Sequence, residues 1–372
     1  MTFRGLTWDH PRGRLALETA AATVAPGLLS WRIQPLEGFE SAPIGELAAA
    51  YDLVVLDHPH LGDALAADCL VPLDDVFTPA QLERWRTASV GSSFASYEFD
   101  GRVWALPLDA ATQVTARNPT LVPESPATWH DALALSREGR VATSLAGPHA
   151  FLSLCSIAVS LGDDPGRGDG GLFDAALGAQ ALDILIELSA HAPAGTGLLN
   201  PIGLLDRMRD EGDIGCIPLV YGYVTYSSPS VVFSDAPAGP AGIGSTIGGT
   251  GIALTRRSPI SEPLVDHLAW LLDDQTQRTF IPAHAGQPSA RSAWTDDAVN
   301  AGSRDFYRGT LATMERAWMR PRRAGYIPFQ SHASAVVREA AAGERSVPSA
   351  LRAMEEAFAA LPSPPHRFGA LT

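Results

Sequence analysis

The amino-acid sequence predicts an α/β fold divided into two lobes, and three observations support this. The chain has 372 residues, which is long for a single hydrophobic core. Strand-like and helix-like segments alternate from residue 3 to about residue 90, which is typical of a mostly parallel sheet covered by helices. Residues 99–119 then have the pattern of a chain that leaves one lobe and enters another.

Three segments near the start of the chain have the pattern of strands. Residues 3–8 predict a buried first strand, and residues 31–34 predict a second. Residues 52–57, DLVVLD, form a continuous β-branched run of the type found in parallel strands that are buried on both faces. We therefore expect the three segments to belong to one mostly parallel sheet.

Helix signals fall between and after these strands. Thr78 and Pro79 are residue types preferred at the N-cap and the first helical position, and Thr128 is a second N-cap candidate. Apolar residues at helical spacing predict further helices at 15–24, 152–161, 179–188, 204–212, 261–273, 329–337 and 349–361. The last two are expected to cover the second lobe.

The passage between the lobes begins with a tight turn at Asp100 and Gly101, where a positive φ is expected. Two β-like runs follow, one around Pro107 and one at 113–116. Proline cannot donate a ladder hydrogen bond, so the first run is predicted to lie at a sheet edge or at a crossing point.

Several short segments resemble, in the same order along the chain, signatures of the solute-binding proteins of ABC importers, in the family 1 group that includes sugar binders. Each segment is a weak signal alone, and the ordered set carries the resemblance. The segments are CLVPLDD at 69–75, FDGRVWALPLD at 99–109, PATWHDAL at 126–133, GDIGCI at 212–217, GGTGIAL at 248–254 and AGQP at 285–288.

The resemblance implies a two-lobed type 2 periplasmic-binding-protein fold with a ligand cleft between the lobes. It assigns residues 1–108 and 246–302 to lobe 1, and residues 109–245 and 303–372 to lobe 2. It also places Asp109 where such proteins often present a polar group to the cleft.

Composition argues against several partners and chemistries. The formal net charge of −14 argues against nucleic acid and against an anionic membrane surface. All 27 basic residues are arginine, which removes Schiff-base chemistry, a Walker-type phosphate loop and a lysine base. Cys69, Cys155 and Cys216 are widely spaced without a CxxC pair, so buried free thiols are expected rather than disulfides or zinc ligands.

The first six residues run directly into the predicted first strand, without the charged, apolar and small-residue regions of an export signal. We therefore predict a cytoplasmic protein, with an exported protein that begins at its mature terminus as the alternative. No apolar run approaches the roughly 20 residues that span a bilayer. An exported protein would deliver its ligand to an ABC permease, and a cytoplasmic one would act as a sensor, carrier or scavenger.

Polar and aromatic residues follow the predicted strands at the edge where ligands of open α/β sheets bind. Such residues suit a small polar ligand, because aromatic faces stack on it and polar groups hydrogen-bond its edges. The predicted ligand-binding residues are Trp8, Asp9, His10, Asp57, His58, His60, Asp109, His149, Tyr221, Tyr223, Gly249 and Gln287.

These residues also have plainer structural explanations. Aspartates suit turns and N-caps, histidines are common in loops, and Trp8 suits a core. His149 precedes an apolar helix and is a candidate for its cap. Tyr221 and Tyr223 alternate as in a strand, so one of the two is expected to face the ligand.

From these features we predict a non-catalytic binding protein, without a cofactor, that closes by hinge motion on a small polar ligand. The resemblance implies a sugar, and an amine such as a betaine or an organic acid stays open. Asp9, Asp57 and Asp109 favour a cationic or polyhydroxylated ligand, whereas Arg12 and Arg291 favour the reverse.

The alternative is a cytoplasmic enzyme or metal-binding protein on the same fold. Histidines and aspartates at adjacent strand ends suit iron, zinc or manganese, and they suit acid–base work. The sequence lacks HExxH, GxSxG and any matching local ligand spacing, so this alternative has less support.

Overall fold

The computed structural model describes residues 2–167 and 171–362, so residues 363–372 of the predicted second lobe lie outside the described residues. Its strands are β1 (Phe3–Trp8), β2 (Leu29–Gln34), β3 (Leu53–Leu56), β4 (Glu98–Phe99), β5 (Arg102–Val103), β6 (Leu106–Arg117), β7 (Cys216–Tyr221), β8 (Val232–Ser234), β9 (Ala238–Gly239), β10 (Gly242–Ile243) and β11 (Ile247–Leu254).

The helices alternate with these strands in the first third of the chain and dominate the last. They are α1 (Pro11–Thr23), α2 (Leu36–Ser41), α3 (Ile44–Ala50), α4 (Leu61–Ala66), α5 (Pro79–Ala88), α6 (Trp129–Arg137), α7 (His149–Leu161), α8 (Ala175–Ala190), α9 (Pro201–Asp210), α10 (Glu262–Leu271), α11 (Asp274–Arg278), α12 (Phe280–Ala283), α13 (Arg291–Thr295), α14 (Asp297–Ser303), α15 (Phe306–Arg316), α16 (Tyr326–Ala341) and α17 (Val347–Ala359).

The main sheet has the strand order β2-β1-β3-β11-β6-β7, with β8 paired to β6. β1 runs parallel to both β2 and β3, as the sequence predicts. β11 returns antiparallel between β3 and β6, so the sheet is mixed rather than mostly parallel. The carboxyl ends of β1 and β3 therefore lie side by side.

β6 crosses between the two parts of the sheet. Residues 106–112 pair with β11, and residues 113–117 pair with β7 and β8. The two β-like runs of the sequence are thus one continuous strand. Pro107 lies opposite Gly251 beside a register shift, and the hydroxyl of Ser289 donates to the Pro107 carbonyl. The predicted crossing point is where a strand tolerates proline.

Local capping signals set several helix starts. Thr78 and Gln81 form a capping box at α5, and Thr128 and Asp131 form one at α6, as their sequences predict. α1 begins at Pro11, four residues before the predicted start, because proline at the first position follows His10 as N-cap. α7 likewise begins early, at His149, and the residue at its N-cap is Pro148 rather than His149.

The C-terminal helices α16 and α17 pack against α7 and α8 in one hydrophobic cluster. Phe151 of α7 meets Phe329 of α16 edge to face, with ring centroids 5.4 Å apart. A larger cluster joins β1, β3 and α5 to the β6–β7 region. The lobe boundaries inferred from the sequence stay a prediction.

The longest helices between residues 2 and 362, apart from 168–170, are α8 and α16, each of 16 residues. Within those limits, the structure contains no helix with the length and apolarity that a membrane span needs.

We predict that Gly249→Ala destabilises the crossing of β11 and β6. Gly249 has a φ of +93°, and an added Cβ would lie 2.3 Å from the Asp109 carbonyl oxygen. Strain and clash together are expected to lower the free energy of unfolding by about 3 kcal/mol. Urea unfolding measures this loss.

Gly343→Ala is the matched control. Its φ is +74°, and among the described residues nothing lies within 4 Å of the added Cβ. Its free energy of unfolding should fall by only about 1 kcal/mol, because a residue with a Cβ disfavours the positive φ. Equal losses in the two variants would contradict the close approach of the strands at Gly249.

Candidate ligand-binding site

A cavity lies at the carboxyl ends of β1 and β3, where the sequence predicts a ligand. Its volume is about 610 Å³ with its open mouth included. Residues that follow β1, β2 and β3 form one side, and α7, the end of β7 and the chain between α15 and α16 form the other. The predicted residues that line it are Trp8, Asp57, His60, His149, Tyr221, Tyr223 and Gly249.

Aromatic rings form much of one wall. Trp8 stacks on Phe39 with ring centroids 5.7 Å apart, and it meets Tyr223 edge to face at 6.2 Å. His10 stacks behind Trp8 at 5.3 Å. These contacts hold the indole of Trp8 in place before any ligand arrives.

Tyr221 and Tyr223 both line the cavity, whereas the sequence predicts that one of the two faces the ligand. The alternation of side chains holds only within a strand. β7 ends at Tyr221, and Gly222 donates its N–H to the carbonyl of Thr112. Tyr223 therefore lies beyond the strand, and its ring reaches the same space.

Asp57 follows β3 and forms a buried ion pair with Arg320. Its other carboxylate oxygen accepts the backbone N–H of His58 at 2.8 Å. Burial raises the pKa of Asp57, but the Arg320 charge and the contacts with His58 outweigh burial and hold that pKa well below its usual range. Asp57 therefore faces the cavity as a carboxylate.

His58 and His60 lie beside this ion pair. Burial, reinforced by Arg320, lowers the pKa of His58 to about 4, and burial also lowers the pKa of His60. His58 Nε2 accepts the backbone N–H of Arg320 at 3.2 Å. Both imidazoles are therefore neutral at physiological pH.

Arg12 and Asp109 form a second buried ion pair. Arg12 Nε donates to one carboxylate oxygen of Asp109 at 2.8 Å and Nη2 to the other at 2.5 Å. Arg12 lines the cavity and also donates to the Gly222 carbonyl at 3.2 Å. Asp57 and Asp109 thus each form an ion pair with an arginine. These pairs remove the preference for a cationic ligand that the aspartates alone predict.

Some predicted residues lie outside the cavity lining, although each belongs to the described ranges. Asp9 is exposed and pairs with Arg14 at 3.0 Å. The predicted residues outside the lining are Asp9, His10, His58, Asp109 and Gln287. Direct contact between these five residues and a ligand stays a prediction.

His10 and Gln287 instead fix the chain around the cavity. The Nδ1 of His10 accepts the backbone N–H of Arg12, which caps α1. Buried Gln287 accepts the N–H of Val224 at 2.8 Å and donates to the Ala110 carbonyl at 3.0 Å. Gln287 thereby links the crossing strand β6 to the chain that follows β7.

Several lining residues escaped the sequence analysis. The α2 residues follow β2 and obey the same strand-end rule that identified Trp8 and Asp57, so that rule could have found them. Arg320 contacts Asp57 across 263 positions of sequence, and no local pattern indicates this. The missed residues are Leu36, Phe39, Glu40, Pro148, Leu152, Gly248, Thr250, Arg320, Ile327 and Gln330.

The histidines and aspartates do not assemble a metal centre. Within residues 2–167 and 171–362, no group of three or more His, Cys, Asp or Glu side chains is placed to hold a metal ion. In addition, His58 Nε2 already accepts a hydrogen bond from the backbone N–H of Arg320. The metal-binding alternative therefore gains no support from this site.

Comparison with solved structures relates the whole chain to one fold. An ABC-transporter solute-binding protein from Agrobacterium radiobacter K84, in complex with ribitol, has a TM-score of 0.77 at 19% identity, covering 96% of this chain and 98% of that one. The cyclic α-maltosyl-1,6-maltose binding protein of Arthrobacter globiformis has a TM-score of 0.75 at 17% identity, covering 96% and 97%. This chain has the ABC solute-binding-protein fold.

A third solved structure agrees. The GacH receptor of Streptomyces glaucescens has a TM-score of 0.78 at 15% identity, covering 96% of this chain and 98% of that one. Protein-family models and curated proteins yield no match. The two-lobed α/β fold implied by the sequence resemblance is confirmed, and at these identities the likeness concerns the fold.

We predict that stability falls between pH 7 and pH 4 and that His10→Asn reduces the fall. Burial and then the neighbouring Arg12 charge lower the pKa of His10 to about 4. Between that value and about 6.5, the unfolded chain binds a proton that the folded protein does not, so acid favours unfolding. Asparagine keeps an N-cap but does not titrate.

Urea unfolding at pH 7 and pH 4 measures the effect. Between pH 7 and pH 4, the free energy of unfolding should fall by about 2–3 kcal/mol more in the wild-type protein than in His10→Asn. His191→Asn, a histidine substitution at an exposed position, serves as the control. An unchanged pH dependence in His10→Asn would show that His10 is not held neutral by the fold.

Proposed function

We propose that this protein is a non-catalytic solute-binding protein whose two lobes close by hinge motion on a small polar ligand, a sugar or another polar metabolite. The observation that carries the proposal is the cavity at the strand ends, with aromatic rings and paired charges on walls from both sides of the crossing. A cleft of this kind buries a ligand when the lobes come together.

The contacts across the cavity support closure. Arg320, which follows α15, pairs with Asp57 at the end of β3, and Arg12 of α1 donates to Gly222 after β7. β6 and β11 pass between the two parts of the sheet and supply the crossing. The chain thus has crossing strands on which to bend and polar contacts that join the walls.

The chemistry of the walls favours a neutral polyhydroxylated ligand over a charged one. Trp8, Phe39 and Tyr223 offer aromatic surface for the C–H faces of a sugar or polyol. Asp57 and Asp109 are already neutralised by arginine, so they attract a free cation weakly. The structures named above include complexes with ribitol and with acarbose, ligands of this class.

The protonation states favour binding over catalysis. A general acid or base works best with a pKa near the operating pH. Arg320 keeps Asp57 ionised, and burial keeps His58 neutral down to about pH 4. Neither group is poised to exchange a proton near neutral pH.

The location of the protein decides its partner under this proposal. If it is exported, an ABC permease receives the ligand, and if it is cytoplasmic, as predicted from the sequence, it acts as a sensor, carrier or scavenger. Fractionation of the producing cells separates the two.

We predict that the purified protein retains its ligand or rebinds a polyol. Native mass spectrometry beside the denatured mass should show an excess of a few hundred daltons, because a closed cleft releases its ligand slowly. Calorimetric titration of the denatured and refolded protein with ribitol, D-mannitol and maltose then identifies the class. A protein with no mass excess and no heat from any of the three would contradict the proposal.

We predict that Trp8→Leu lowers the affinity for the strongest of these probes at least tenfold, because the stacking surface is lost. Isothermal titration measures the affinity, with circular dichroism to establish that the variant is folded. Trp31→Leu is the matched control, since Trp31 packs on Gly5 away from the cavity, and it should bind as the wild type does. Equal affinity in Trp8→Leu would place the ligand elsewhere.

A further inference from the structure

His149 and Tyr221 line the cavity and carry buried polar groups that have no hydrogen-bond partner in the fold. His149 is 4% exposed, and its ring lies edge to face with that of Tyr221 at a centroid distance of 5.9 Å. Within the described part of the chain, both ring nitrogens of His149 and the hydroxyl of Tyr221 have no hydrogen-bond partner. Each such buried group destabilises the fold if nothing satisfies it.

The two side chains are held in place from behind. His149 is the first residue of α7, and Tyr221 is the last residue of β7. Gly248 packs against the Tyr221 ring so closely that an added Cβ would lie 2.6 Å from Cε1. Both side chains line the cavity, so the unsatisfied groups belong to residues that a ligand would contact.

Glu40 approaches this pair from the other wall. It belongs to α2, and its Oε1 lies 3.4 Å from His149 Nε2, which is an ion-pair contact without hydrogen-bond geometry. A neutral imidazole has one N–H and one acceptor nitrogen, and a carboxylate beside Nε2 favours the proton there. Nδ1 then remains the acceptor.

We propose that a hydroxyl group of the ligand binds between His149 and Tyr221 and that Glu40 is a positioning residue that sets the imidazole tautomer. The hydroxyl donates to His149 Nδ1 and accepts from the Tyr221 O–H, which satisfies both buried groups at once. This assignment rests on the proposed function, and it makes the pair a selector for hydroxylated ligands over deoxygenated ones of the same shape.

The binding arm of the test uses isosteric variants and titration calorimetry. Ribitol, D-mannitol and maltose are titrated into wild type, Tyr221→Phe and His149→Gln. Tyr221→Phe removes only the hydroxyl, and it should weaken the strongest probe about five- to fifteenfold. Tyr51→Phe is the matched control, because Tyr51 packs under Arg4 away from the cavity, and it should bind as the wild type does. Unchanged affinity in both Tyr221→Phe and His149→Gln would overturn the assignment.

The second arm reads the tautomer by nitrogen-15 NMR of the histidine rings at pH 7 in ligand-free protein. The spectrum of His149→Gln identifies the His149 signals. Wild type should show the Nε2–H form, and Glu40→Gln should shift His149 toward a mixture and weaken the strongest probe two- to fivefold. An identical tautomer in wild type and Glu40→Gln would overturn the role of Glu40.

The two failures are distinguishable. If wild type binds none of the three probes and carries no retained ligand, the proposed function fails. The NMR experiment still tests whether Glu40 sets the tautomer of His149. If wild type binds a probe and the variants bind equally well, the proposed function stands and the hydroxyl site fails.

Discussion

The ion pair between Arg320 and Asp57 joins elements that are otherwise far apart in the chain. Arg320 also donates to Gln330 Oε1 at 3.1 Å and to the Ile247 carbonyl at 3.3 Å, and its backbone N–H reaches His58. One guanidinium thus ties the end of β3, the start of β11 and α16 together. Burying two charges is costly, and these additional hydrogen bonds offset the cost only while all partners stay in place.

The position of the cavity follows from this junction and from the crossing of β6. Parallel neighbours β1 and β3 end at the same edge, so Trp8 and Asp57 meet there. β6 changes partners between Thr112 and Gln113, and this change brings the end of β7 over the same edge. The tyrosines after β7 therefore face the residues after β1, and a polar space lies between them.

Local sequence patterns predicted the elements well, for physical reasons. β1 has the predicted bounds because His10 and Pro11 begin the next helix directly after it. The caps at Thr78 and Thr128 could be predicted because a capping box forms within four consecutive residues. The local sequence therefore contains both of its partners. The cluster at the ends of β1 and β3 followed from parallel pairing alone.

Local sequence patterns could not predict contacts between residues that are far apart in the chain. Asp109 was assigned to the cleft, but its buried partner Arg12 lies 97 positions earlier, and in this ion pair Arg12 lines the cavity while Asp109 does not. Glu40 lies on a helix of six residues whose side chains are only partly buried, so no apolar period marked it. Alternation predicted that one of Tyr221 and Tyr223 faces the ligand, but both line the cavity because the strand stops two residues before Tyr223.

The cations in the cleft are guanidinium groups in a chain whose 27 basic residues are all arginine. A guanidinium keeps its charge at any pH a protein survives, and acylating reagents that target amines leave it intact. Amine-directed dyes and crosslinkers therefore find no side-chain target, and the charges of Arg12 and Arg320 persist through such chemistry. A fluorescent reporter of lobe closure on this protein is best attached through an engineered lysine, since that lysine would be the single side-chain amine on the molecule.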